Sequence, residues 1–401
     1  MKNNPETRLE EFVNEWSVDR ASNIFFIESD KGYPELPVLS ASQELGMVKR
    51  DNIGIDMQYS KQNIASYKRV KPGRFVIHLR SFQGGFAHSA IEGITSPAYT
   101  VLSLKEPQKH DDYFWKYLFT SPEFVKRLEL VTYGIRDGRS ISVDDFFNLP
   151  FCYPSTPEEQ HKIAQFFSRL DTLIAAEDKK LERLKTIKNA SLEKMFPKQG
   201  ETVPEVRFKG FTGAWKVDKL SNYANYYKVS NENIHHQNLL SLSYGRIVRK
   251  SIKSKKGLLP ASFDTYQVIK ENIIVLRFTD LQNDHKSLRV GISKEEGIIS
   301  PAYVCVECND YVHPNFFYLL LHYYDLCKVF YGMGDGMRQT LSYADIKNME
   351  VTIPIDIKEQ IYIAEYFYRL DTLISAQEQK SEKLRSLKKS FLEKMFVSTP
   401  K

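Results

Sequence analysis

Cysteine is scarce in this chain, four among 401 residues. That excludes a framework held together by disulfides and suits a reducing compartment. Long hydrophobic runs are missing too. No stretch approaches the roughly 18 apolar residues of a membrane span, and the opening MKNNPETRLE carries no apolar signal segment. These absences predict a cytoplasmic protein. Neither sign of charge dominates, with 56 basic against 50 acidic residues and a net charge of +6. Such a balance permits a polyanionic partner without requiring one.

Metal and catalytic patterns are just as sparse. Cys305 and Cys308 form the one CxxC, and Tyr303, Val304 and Val306 around it read as a buried strand. Sparse cysteines in strands are more often small apolar fillers than ligands, and the adjacent His235 and His236 supply no partner spacing, so no metal site is expected. Asn148-Leu149-Pro150-Phe151 resembles the N-P-P-F signature of an amino-methyltransferase, but Leu149 occupies the first proline position, and the aligned Asn348-Met349-Glu350-Val351 has no trace of it. It is read as the entry to a short strand. Gly332 to Gly336 lacks the preceding strand and following Lys-Ser/Thr of a phosphate loop. No catalytic residue is assigned, and any chemistry is expected from partners.

What the chain does contain is a duplication. His161 to Pro197 returns as Ile361 to Val397 at an offset of 200, with 19 of 37 positions identical, including RLDTLI from Arg169 and from Arg369 and LEKMF from Leu192 and from Leu392. Pro5, Glu6, Arg8, Phe12 and Trp16 return as Pro204, Glu205, Arg207, Phe211 and Trp215. Gly93 to Tyr99 returns as Gly297 to Tyr303, and Tyr133-Gly134 with Asp137-Gly138 as Tyr331-Gly332 with Asp335-Gly336. An offset drifting only between 198 and 204 means two whole domains of one fold with short loop insertions. A hydrophobic content of 42%, with 13% aromatic residues, is enough for two packed cores.

Each half reads in three parts. A mixed portion carries strand-like runs, Arg74 to Leu79 and Asn272 to Phe278. Helical segments with aromatic stripes follow, Asp112 to Leu130 and Asn315 to Phe330, then a Gly-rich turn and a short helix with Ser142 or Ser342 at the N-cap and Asp145 or Asp345 three positions on. The third part is the long repeated helix, beginning after Pro157 and near Ile357, with Pro197 ending the first copy. Its apolar positions recur with period 3.5, through Ile163, Phe167, Leu170, Ile174, Glu177 and Leu184 and through Ile363, Phe367, Leu370, Ile374, Gln377 and Leu384. That is a coiled-coil seam with a polar layer at Glu177 and Gln377. The predicted class is therefore α+β, with two homologous domains of mixed α/β structure at residues 1–157 and 198–357. They are separated by a pair of long antiparallel helices at 158–197 and 358–397, with the halves related by a pseudo-twofold axis. Two domains of this size would span more than one turn of duplex DNA.

These motifs together resemble the specificity subunit of a type I restriction-modification system, over essentially the whole length. The residues that carry the resemblance are P-E-x-R-[LF]-x-x-F-x-x-x-W at the start of each half, G-I-x-S-P-A-Y in the middle, the Gly-rich turns, and E-Q-x-x-I-A from Glu159 and from Glu359 running into R-L-D-x-L-I. The resemblance implies two variable target-recognition domains, helical spacers and a bipartite double-stranded DNA target. It implies a complex with two adenine-N6 methyltransferase subunits, to which two restriction subunits can be added. The chain itself would need no cofactor, while the complex would use S-adenosylmethionine, and ATP with Mg2+ for restriction.

Within the duplication, what both halves share reads as scaffold and what differs as specificity. The differences fall in Ser40 to Asn52 against Ser241 to Lys256, in Arg80 to Glu92 against the longer Arg277 to Glu296, and in the Gly-rich turns. Arginine suits guanine edges, glutamine and asparagine suit adenine, and lysine suits phosphates. The candidate DNA-contacting residues are Lys49, Arg50, Arg80, Ser81, Gln83, Arg136 and Arg139 in the first half. In the second they are Arg246, Arg249, Lys250, Arg277, Thr279, Gln282, Asn283, Arg338 and Gln339.

Overall fold

The computed structural model of the chain describes residues 4–42, 45–53, 61–77, 86–133, 140–232, 234–251, 260, 262–279, 281, 288–333 and 340–397. The chain divides into two compact units, one made of Met1–Lys179 with Glu378–Lys401 and the other of Lys180–Gln377. Both are mixed helix and strand.

In the first unit, the strand Ser17–Arg20 pairs antiparallel with Pro150–Tyr153, with Ser17 opposite Tyr153. A four-stranded antiparallel sheet takes Phe25–Glu28, Thr100–Leu104, Phe75–Ile77 and Ala87–His88 in that spatial order. Three further small pairs are the hairpin Leu39–Ser42 with Gly46–Lys49, Lys68–Val70 with Gly93–Thr95, and Thr132–Tyr133 with Ser140–Ile141. The aromatic segment after this sheet forms two helices, Asp112–Thr120 and Pro122–Leu128. Pro122 cannot continue the first helix, and Ser121 caps the second by accepting from the Phe124 N–H.

The second unit repeats the main strand pairings. Lys216–Lys219 pairs with Glu350–Ile353. The four-stranded order is Ala224–Tyr227, Val304–Cys308, Ile274–Leu276, Val290–Ile292. The hairpin is Leu240–Ser243 with Arg246–Arg249, and the remaining pair is Gln267–Ile269 with Gly297–Ile299. One helix, Pro314–Leu326, stands where the first unit has two. The Ser142 and Ser342 caps are present. Ser142 Oγ accepts from the Asp145 N–H at 3.2 Å, and Ser342 and Asp345 form a reciprocal capping box. Cys305 and Cys308 are strand residues on opposite faces, and burial pushes both thiols up to about 12.

The first long helix is Pro157–Met195 and the second Ile357–Lys394. The unit boundary cuts both, so each unit holds the start of one and the end of the other. In the first unit they run antiparallel: Lys388 pairs with Asp171, Arg385 with Asp178 at 2.5 Å and Lys380 with Glu177 at 2.6 Å. In the second unit Lys188 pairs with Asp371 at 2.5 Å, and Ser191 Oγ meets Tyr366 Oη at 2.9 Å. The seam positions are the shielded ones. Ile163, Phe167, Ile363, Phe367, Leu370, Ile374 and Gln377 are buried, while Leu170, Ile174, Glu177, Leu184 and Leu384 are half-buried.

LEKMF has a role its repetition alone does not disclose. Leu392, Met395 and Phe396 belong to the core of the first unit, where Phe396 packs on Phe114 and Phe167 at 5.6 and 5.8 Å. Leu192, Met195 and Phe196 enter the core of the second unit, where Phe196 lies 5.8 Å from Phe316. The helix ends are therefore integral to the globular cores.

Candidate DNA interface

The motifs shared by both halves build one repeated joint. In the first unit Arg8 grips Glu159 with two charge-assisted hydrogen bonds, Nε to Oε1 and Nη2 to Oε2, both 2.7 Å. Trp16 Nε1 donates to the same carboxylate at 3.1 Å. Gln160 Oε1 accepts from the Asp111 N–H, and its Nε2 donates to the Pro154 and Lys109 carbonyls. The neighbouring Thr7 N–H donates to the Lys394 carbonyl at the end of the antiparallel helix, satisfying one of the carbonyls a helix end leaves unpaired. In the second unit Arg207 holds Glu359 at 2.6 and 2.8 Å, Gln360 reaches His313 and Pro354, and Val206 donates to Lys194. Glu159, Gln160, Glu359 and Gln360 are almost fully buried. The P-E-x-R and E-Q motifs thus fasten the start of one helix to the end of the other and hold both to the sheet.

Beside this frame lie the hairpins, which differ in sequence between the halves. Lys49 is exposed at the end of the first unit's hairpin, and Arg50 beside it is half-buried with its Nε on Ser40 Oγ at 3.1 Å. In the second unit Arg246, Arg249 and Lys250 are all exposed on the equivalent hairpin. Arg249 is already engaged, with its Nε 2.8 to 2.9 Å from the Glu295 carboxylate, which also accepts from Asn238. Arg277 and Thr279 are half-buried where the strand Ile274–Leu276 ends. The basic hairpin lies against the partner of that strand: a Cβ on Gly291 would meet Leu242 Cδ1 at 2.6 Å and Ile247 Cδ1 at 3.2 Å. Arg246, Arg249 and Lys250 thus stand along the second unit's hairpin, Arg277 and Thr279 beyond the end of the strand Ile274–Leu276, and Lys49 and Arg50 at the end of the first unit's hairpin. Arg80, Ser81, Gln83, Arg136, Arg139, Gln282, Asn283, Arg338 and Gln339 lie outside the described residues.

Arg289 was not among the sequence candidates, yet it organises this region. Its side chain is fully buried. Nη1 donates to the carbonyls of Arg277 at 3.2 Å and Thr279 at 2.8 Å, and Nε donates to Tyr331 Oη at 3.0 Å. Its backbone N–H donates to Asp325 Oδ2 at 2.7 Å, and burial raises the Asp325 carboxyl above its ordinary range despite that bond. One guanidinium thus ties residues 277–279 to Tyr331, which bracket two of the segments that differ between the halves. No local periodicity marks such a residue, because its acceptors lie 10, 12 and 42 positions away in sequence.

Both units thus carry the same joint, with a hairpin bearing basic residues beside it. Residues 8–186 match the family described as the type I restriction modification DNA specificity domain. That match covers most of the first unit, and the second unit repeats its main strand pairings. The chain is similar in fold to the S subunit of the type I restriction-modification system of M. genitalium, with TM-score 0.57 and 14% identity, over 99% of this chain and 100% of that one. It is also similar to a chain from a structure concerned with complex assembly and conformational transition of the type I system, with TM-score 0.55 and 13% identity, over 96% and 98% of the two chains. No curated relative matches in sequence. No helix among the described residues is long and apolar enough to cross a membrane.

Proposed function

We propose that this chain selects a bipartite double-stranded DNA target, one part per unit, for methyltransferase and restriction subunits that dock on its long helices. The observation that carries this reading is the split between a repeated joint and an unrepeated surface. Arg8–Glu159 and Arg207–Glu359 are the same device, while the hairpins beside them carry different polar residues, Lys49 and Arg50 against Arg246, Arg249 and Lys250. Conserving a frame while changing its contacts is what two half-sites of different sequence require.

The helices support docking by repetition as well. Leu173 and Leu387 are exposed in the first unit, two positions after Asp171 and one before its partner Lys388. Ile187 and Leu373 are exposed in the second, beside the Lys188–Asp371 pair. Each unit thus offers one apolar residue from each helix at the same register, as two identical partners would use. The complex would work in the cytoplasm, with S-adenosylmethionine serving adenine-N6 methylation and ATP with Mg2+ serving restriction on the partner subunits.

Mapping N6-methyladenine in a host expressing the chain with its methyltransferase tests this reading. A two-part motif with a fixed gap is expected, and its absence would sink the reading. Leu173→Glu and Ile187→Glu should lower co-purification of the methyltransferase, whereas unchanged recovery would refute docking at these residues.

A further inference from the structure

The second unit's hairpin carries an arginine whose charge is cancelled while part of its hydrogen-bonding edge stays open. Arg249 lies side-on to Glu295, with Nε 2.8 to 2.9 Å from the two carboxylate oxygens and Nη2 donating to Oε2 at 2.5 Å. Glu295 is itself braced. Asn238 Nδ2 donates to its Oε2 at 3.0 Å and to the Glu296 carbonyl at 2.7 Å. The buried Ser293 closes the turn below, donating from Oγ to the Glu295 carbonyl at 2.6 Å. The Arg249 side chain nevertheless remains 73% exposed. A pair so open to solvent contributes little to the stability of the fold.

The first unit shows the same place without this device. Leu240 pairs with Arg249 as Leu39 pairs with Lys49, and the following residue, Lys250 or Arg50, donates its N–H to the carbonyl of Leu239 or Val38. Ser293 meets the Glu295 carbonyl as Ser89 meets that of Ile91. Lys49 and Ile91 therefore occupy the positions of Arg249 and Glu295. A point charge and an apolar side chain stand where the second unit has a planar fork and a carboxylate, so both members of the pair change together between the halves.

The chemistry of the fork selects its ligand. Glu295 takes the edge formed by Nε and Nη2, which leaves the edge formed by Nη1 and Nη2, two parallel N–H donors on a plane held from behind. A phosphate is drawn by net positive charge, and an ion pair offers none. Guanine presents O6 and N7 side by side in the major groove, two acceptors without net charge, the pattern that a bidentate arginine matches. Resting on the reading of the chain as a two-site DNA reader, we infer that Arg249 reads a guanine through its Nη1 and Nη2 edge and that Glu295 is the residue that positions it.

The test uses the complex of the full chain with its methyltransferase subunits, and duplexes bearing the mapped target with each guanine replaced in turn by 7-deazaguanine, which lacks the N7 acceptor. One guanine, in one half-site only, should matter to the unaltered complex and not to Arg249→Lys. That variant should bind the intact target roughly ten- to hundredfold more weakly. Glu295→Ala should lose preference for the same guanine yet bind unrelated duplexes more tightly and with a steeper salt dependence, because it frees a cation for phosphate. Glu295→Gln, which still accepts from Arg249, should keep part of the preference. Glu295→Ala weakening every duplex alike, or strengthening every duplex with the guanine preference intact, would overturn the proposal. So would a target in which no guanine responds, or an Arg249→Lys complex still sensitive to the same one. If the unaltered complex showed no two-part preference, the functional reading itself would fail, a separate outcome.

Discussion

The side chains of Glu159 and Glu359 show how two buried charges of the same type stand in different surroundings. Both are held by a bidentate arginine, but Trp16 Nε1 also donates to Glu159, whereas Trp215 Nε1 has no hydrogen-bond partner among the described residues. Arg8→Met or Arg207→Met strands a buried carboxylate and should cost about 3–5 kcal/mol. Adding Glu359→Met to Arg207→Met should recover most of the loss, since no further donor is orphaned. Adding Glu159→Met to Arg8→Met should recover less, because Trp16 loses its acceptor. Denaturant midpoints of the four variants check this, and equal recovery in the two units would refute it. His322 is a second buried group with a readable signature. Burial, aided by Lys188, pushes its ring down to about 4 from 6.5. The fold favours the neutral form, so the unfolded chain takes up the proton first. Stability should be full above pH 6.5 and fall by about 1.4 kcal/mol per unit as pH drops toward 4. His322→Phe should flatten that limb of a Tm-against-pH curve, and an unchanged slope would assign the loss elsewhere.

Among elements, the long helices carry their register in ion pairs. Asp171 meets Lys388 and Asp371 meets Lys188, one pair per unit, with side chains between about a fifth and two-fifths exposed. Pairs so placed contribute only about 0.2–1 kcal/mol each, so their effect is on alignment more than on strength. Asp171→Lys should destabilise the first unit by about 1 kcal/mol. Lys388→Asp should restore part of it, the remainder reflecting the lost Tyr117 hydroxyl bond to Asp171. Lys188→Asp should restore nothing, and rescue by it in thermal unfolding would contradict the register. The helices themselves, the seam and the serine caps are legible in the amino-acid order, because each depends on residues three to seven apart. Arg289 and the Arg8–Glu159 joint were invisible as contacts, since they close loops of 10 to 151 residues.

At the scale of the molecule, each of the two compact units incorporates the start of one long helix and the end of the other. Phe396→Ala should therefore cost about 3–5 kcal/mol, and hydrogen exchange should show the loss in residues 16–170, far away in sequence, with 180–377 still protected. Loss of protection in the second unit instead would show that Phe396 serves a different core.

The same partition orders events on the ribosome. Residues 180–377 form an unbroken stretch that emerges whole, whereas the first unit, begun earliest, waits for Leu392, Met395 and Phe396, which are made after all of the second. Domains fold as their segments become available during synthesis, so the amino-terminal sheet must persist with part of its core open while some 200 further residues are translated. The half that starts first is sealed last, and in that interval it is the part of the newborn chain most exposed to aggregation or to chaperone capture.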